Sequence, residues 1–140
     1  MNVLSMIETL LDGAPPVVLA SPRRDADDQV GKWKSIEDRI AGWAPKQDEP
    51  DERIDEDGYR LPTRKAAALA LQVTARLLEG GITCPEWVVQ DGNGGIDFEW
   101  RSGNRAETLG INARGEAELM EFENSKLIAR KPVSLAPPQR

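Results

Sequence analysis

A chain of 140 residues, 39% hydrophobic and 30% charged, has the composition of one ordinary globular domain and enough length to bury a core without covalent staples. It has no histidine and a single cysteine, Cys84, which excludes an intramolecular disulfide and removes the commonest catalytic base and zinc ligand. The net charge of −6 makes a phosphate backbone a poor partner. All of that charge sits in residues 1–62, with eight Lys/Arg against fourteen Asp/Glu, while residues 63–140 hold ten of each. An acidic first half suits a basic partner surface.

No uninterrupted apolar run reaches bilayer-spanning length, and the N-terminus lacks the basic start of a signal peptide. A cytoplasmic location is expected, with no membrane association.

In chain order, Val3, Leu4, Ile7, Leu10 and Leu11 recur at helical spacing and predict a short helix over residues 2–12, stopped by Gly13 and Pro15-Pro16. Val17–Ala20 reads as a short strand or an apolar tether. Val30, Trp33, Ile36, Ile40 and Trp43 form one stripe and predict a second helix over 28–43, weakened by Gly31 and Gly42. Packing in a core is the ordinary role for such tryptophans. Their functional role would be as anchors in a partner's groove. Residues 1–45 thus read as a helical segment and a docking extension.

Asp48 to Asp57 holds seven acids in ten residues, so residues 46–62 read as a solvated acidic linker. Thr63 follows Pro62, caps a helix over about 63–79 and opens an Ala- and Leu-rich run. Ala66, Leu69, Ala70, Val73 and Leu77 form its buried face, and Gly80-Gly81 ends it.

From Trp87 onward the hydrophobic period changes to two. Ile96, Phe98 and Trp100 alternate with Asp97, Glu99 and Arg101, giving a half-buried strand with a polar face. Further strands are expected at 105–112, 116–122 and around 126–130, separated by turns at 102–104, 112–115 and 124–125. The prolines at 132, 137 and 138 make residues 132–140 a flexible tail. The predicted fold is α+β, with the central helix packed over the Ile96/Phe98/Trp100 face of a four- to five-stranded antiparallel meander spanning about 86–131.

Several sites can be weighed. Asp91-Gly92-Asn93-Gly94-Gly95 has the look of a calcium loop. With its glycine aligned on Gly94, however, the first ligand position falls on Val89 and the obligatory twelfth-position acid falls on Trp100. A hairpin turn is the better reading. A phosphate cradle would require a helix after the glycines, where a strand follows. Asp97 and Glu99 share a strand face, as acids on any solvated strand do, and Cys84 has no histidine beside it. Arg101, Arg105, Arg114, Lys126, Arg130 and Lys131 are interspersed with acids, which describes a solvated face and leaves only a weak basic strip.

The segment Asp57-Gly58-Tyr59, then Leu61-Pro62-Thr63 with its helix, then Pro85 and Asp91-Gly92-x-Gly94-Gly95-Ile96-x-Phe98-Glu99-Trp100, resembles a widespread set of short uncharacterised bacterial proteins. In these an Asp-Gly element precedes a helix and a strand pair around Gly-Gly-Ile-x-Leu-Glu-Trp follows. The likeness spans roughly residues 55–123, with Phe98 in place of the usual leucine. It implies a fold sketch and no catalytic residues.

The expected function is therefore that of a small non-enzymatic interaction or regulatory subunit, of the kind found in toxin–antitoxin, immunity or antiviral-defence systems. Its partner would be another protein with a basic or apolar groove, contacted through Trp33, Ile36, Ile40, Trp43, Asp97, Glu99 and Arg101. No cofactor, metal or direct nucleic-acid partner is expected, and edge strands leave a homodimer open. The alternatives are a metal- or ligand-binding enzyme using Asp91, Asn93, Asp97 and Glu99, and a nucleic-acid-binding accessory protein using the later strands.

Overall fold

A computed structural model describes residues 6–8, 11 and 23–134. Within that range the chain is α+β: helix α1 (Arg23–Trp43), helix α2 (Arg64–Glu79), then strands β1 (Trp87–Gln90), β2 (Ile96–Ser102), β3 (Arg105–Ile111), β4 (Ala117–Glu123) and β5 (Lys126–Val133). The strands form one antiparallel sheet in the order β1-β2-β3-β4-β5, each pairing with its neighbour in sequence.

Helix α2 starts where Thr63 holds an extended conformation and its hydroxyl accepts from Ala66 N. The same hydroxyl donates to Ala113 O at 2.6 Å, so the cap also ties the helix to the β3–β4 turn. Such a cap contributes about 1 kcal/mol. The buried face is Ala66, Ala67, Ala70, Val73, Thr74 and Leu77. Leu69 is only half-buried, and Thr74 replaces it by satisfying its hydroxyl on Ala70 O one turn back.

One sheet face supplies the other half of the core. Phe98 pairs in register with Val88 and Leu109, and Leu109 with Leu119; Ile96, Ile111 and Ala117 form the next row. All are buried, together with Trp100, whose ring stacks on Phe98 at 6.4 Å between centroids. The expectation that Ile96, Phe98 and Trp100 seat the helix on the sheet holds.

Helix α1 starts five residues earlier than predicted and packs along α2. Its Trp33, Ile36 and Ile40 join the same core, while Val30, predicted in that stripe, is exposed. Two indoles fix the connection between α2 and β1. Trp33 Nε1 donates to Ile82 O at 2.9 Å and Trp100 Nε1 to Thr83 O at 2.8 Å. Gln29 Oε1 then accepts from Cys84 N. Met6, Ile7, Glu8 and Leu11 are helical, Ile7 and Leu11 are buried, and Glu8 pairs with Lys131 on β5. The rest of the helix predicted at 2–12, the segment Val17–Ala20 and residues 135–140 lie outside the described residues.

The acidic stretch, most of it exposed, is also bonded into the fold. Arg53 donates from Nη2 to Trp43 O and Pro62 O, joining the end of α1 to the approach to α2. Arg64 donates to Lys46 O and Glu49 O, and Asp51 accepts from Arg64 N. Two arginines bonded to carbonyls thus tie the stretch to the ends of both helices. Nor does Pro132 open a tail: β5 runs to Val133, because an edge strand tolerates a residue without a donor.

Candidate functional site: an open sheet face

The helices and the buried rows occupy one side of the sheet. The opposite side is built by the alternate residues of each strand. In register across it lie Val89, Asp97, Gly110, Glu118 and Pro132, and beside them Trp87, Glu99, Thr108, Met120 and Arg130. A third row holds Arg101, Ala106, Phe122 and Leu127. None of the described helices covers these rows. Trp87 is 42% exposed, Val89 47% and Leu127 46%. Only Thr108, in the middle, is buried by its sheet neighbours.

The structure divides the predicted contact residues. Asp97, Glu99 and Arg101 do stand together on this open face. Trp33, Ile36 and Ile40 do not reach a partner: Trp33 and Ile40 have no exposed surface, Ile36 is 6% exposed, and Trp43 is half-buried against the core. An apolar stripe is the same signal whether it seats a helix on its own sheet or in a partner's groove, and here its own core takes it. Missing from the prediction were Trp87, Val89, Gly110 and Met120. They join the site only through the pairing of Trp87 with Glu99 and of Gly110 with Asp97 and Glu118, a register that strand alternation alone does not fix.

Charge on the face is almost entirely paired. Arg130 makes a two-point bond to Glu118, with Nε to Oε2 at 2.9 Å and Nη2 to Oε1 at 2.8 Å. Arg101 lies 3.4 Å from Glu99 and 5.8 Å above the Trp87 ring, and Arg114 lies 2.6 Å from Glu116. Arg105 pairs with Glu121 on the covered side of the sheet. The basic strip anticipated on the later strands is thus largely neutralised by neighbouring acids.

Asp91 belongs to the turn. Its Oδ1 accepts from Asn93 N at 2.7 Å and Gly95 N at 2.8 Å. The whole β1–β2 turn is braced: Arg60 N donates to Gly92 O, Gly94 N to Arg60 O and Thr63 N to Gly94 O. Of the four residues proposed for an enzyme site, Asp91 is thus committed to backbone donors and Asn93 points to solvent at the turn. No three His, Cys, Asp or Glu side chains converge on a metal-sized site among the described residues.

Chain comparisons with protein-family models, curated proteins and solved structures find no match.

Three of the described groups have shifted acidity, and for Arg130 the hydrogen bond to Glu118 pushes it further up. Burial, reinforced by Asp91 and Glu99, pushes the Asp97 carboxyl up to about 6. Burial pushes the Cys84 thiol up to about 11 despite nearby Lys32, leaving it protonated and a poor nucleophile at neutral pH. The arrangement offers a broad contact surface, with apolar and aromatic side chains at its margins and, among its carboxylates, Asp97 beside Glu99 and Glu118, which are paired with arginines.

Proposed function

We propose that the chain is a small non-enzymatic interaction subunit that docks another protein on the open face of its sheet. The observation that carries this reading is that face itself: five paired strands, uncovered by any described helix, bearing exposed Trp87, Val89 and Leu127. Tryptophan is among the residue types most enriched at the hot spots of protein contacts. The thiol of Cys84 is held in its unreactive form, and Asp91 is engaged by its own turn, which weighs against the enzymatic alternative. The pairing of Arg101, Arg114 and Arg130 with acids weighs against a phosphate backbone as ligand. An antitoxin or immunity role would be the special case in which the docked protein is a toxin.

Photo-crosslinking in the native host tests the reading. A photoreactive residue at position 87 or 127 should yield a discrete protein adduct, and one at position 68 on the exposed side of α2 should not. Adducts to nucleic acid, or equal labelling from all three positions, would sink it.

A further inference from the structure

The open face has a pit at its β2–β4 end, about 410 Å³ in volume, lined among others by Asp97, Gly110, Glu118, Met120 and Arg130. The floor is Gly110, the cross-strand partner of Asp97 and Glu118. A Cβ there would stand 3.1 Å from Asp97 Oδ1 and 3.1 Å from Met120 Cε, so a side chain at this position would press on both groups that line the pit.

The ion pairing around this pit leaves one group over. Glu118 is bonded by Arg130 at two points, Glu99 by Arg101 and Glu116 by Arg114, and Asp91 accepts from two backbone N–H groups. Asp97 has no donor or cation among the described residues, although it is half-buried. Four acids (Asp91, Asp97, Glu116 and Glu118) against two arginines (Arg114 and Arg130) line the pit and leave it net negative. A desolvated carboxylate without a counter-charge is an unfavourable arrangement that an incoming cation relieves. The pit has volume enough for a long side chain, and Met120 lines it where it can cover an aliphatic stem.

We propose that the pit over Gly110 receives a lysine or arginine side chain of the docked protein, with Asp97 as its counter-charge. This rests on the reading of the open face as the docking surface and names the chemistry of the partner at one point of it.

The test selects displayed random-sequence peptides on the full chain. The survivors are then titrated calorimetrically against wild type, Asp97→Asn, Gly110→Ala and Trp87→Ala. The expected survivors share a Lys or Arg, lose about tenfold in affinity with Asp97→Asn, and lose affinity with Gly110→Ala because a methyl there crowds Asp97 Oδ1 and Met120 Cε. Asp97→Asn is nearly isosteric and removes a charge that burial disfavours, so it keeps the comparison valid even if Gly110→Ala fails to fold. Peptides without a basic residue, weakened by Trp87→Ala and indifferent to Asp97→Asn, overturn this proposal and leave the docking surface standing. Peptides indifferent to all three variants, or no survivors at all, overturn both. Binding of calcium or manganese chloride that Asp97→Asn abolishes, or self-association that it disperses, overturns the proposal in favour of a metal ion or a second copy.

Discussion

Asp97 holds its proton in the folded chain over a pH range in which the unfolded chain has lost it. Its folded value of about 6 stands above the ordinary 3.8, so between these limits the native state binds more protons than the unfolded one. Stability from this residue is therefore fullest below the unfolded value and declines as pH rises through the folded value. Solvent reaches part of the carboxyl and screens it, so the decline should amount to about 1 kcal/mol. Asp97→Asn should accordingly be more stable than wild type by about 1 kcal/mol at neutral pH, with the gap closing below the unfolded value. Urea denaturation across that range measures it; a gap independent of pH would refute the assignment. The position of Asp97 on a polar strand face was legible from its alternation with Ile96 and Phe98. Its isolation was not, because Arg130 and Glu118 find each other across a strand pair whose register no local pattern reveals.

At the scale of elements, one device recurs. Asp55, Asp91 and Asn112 each accept at Oδ1 from the N–H groups two and four residues on, and each is followed three residues later by a glycine with φ of +86°, +89° and +79° respectively. In each, the backbone N–H of the first residue also donates to the carbonyl four residues on. The spacing Asx-x-x-Gly is visible in the sequence at all three places and would have placed turns at 55–59, 91–95 and 112–116, the first of them inside the supposed linker. The β1–β2 turn was legible from its Asn and Gly residues, of which Gly92 and Gly94 supply the positive φ. Gly95 is different: its backbone is unremarkable, but a Cβ would collide with the Ile111 carbonyl oxygen and the Asp91 carboxylate, a crowding only the folded chain displays. Helix α1 carries the opposite case. Gly31 and Gly42 lie within the helix with nothing within 4 Å of an added Cβ, so neither is required by packing. Gly31→Ala and Gly42→Ala should each stabilise the protein by about 0.5–1 kcal/mol, read as a rise in the denaturation midpoint without a change in slope. A loss at either position would mean that the residue serves a contact of α1 with something outside the chain.

In the whole molecule, two layers and an uncovered sheet face follow from composition as much as from topology. The chain has two long apolar helical stripes in the described range, and both are spent on one side of the sheet. The helix-then-meander order was readable from the switch of hydrophobic period at Trp87. The union of residues 23–45 with the rest was not, since it depends on Arg53 reaching Trp43 O and Pro62 O and on Trp33 reaching Ile82 O. That last bond spans 49 residues, and it separates two kinds of closure in time. Every strand pairs with its neighbour in sequence through a short turn, and such local closures cost little chain entropy and form early. Seating α1 must wait for a much longer loop to close. Refolding should therefore show early protection of β2–β4 amides from hydrogen exchange, followed by a later phase in which Trp33 fluorescence reaches its native value. A Trp33→Phe chain that loses that later fluorescence change but keeps the early protection would agree with this order. Simultaneous protection of α1 and the sheet would contradict it. The helix that carries two of the four tryptophans would then be the last part of the molecule to arrive.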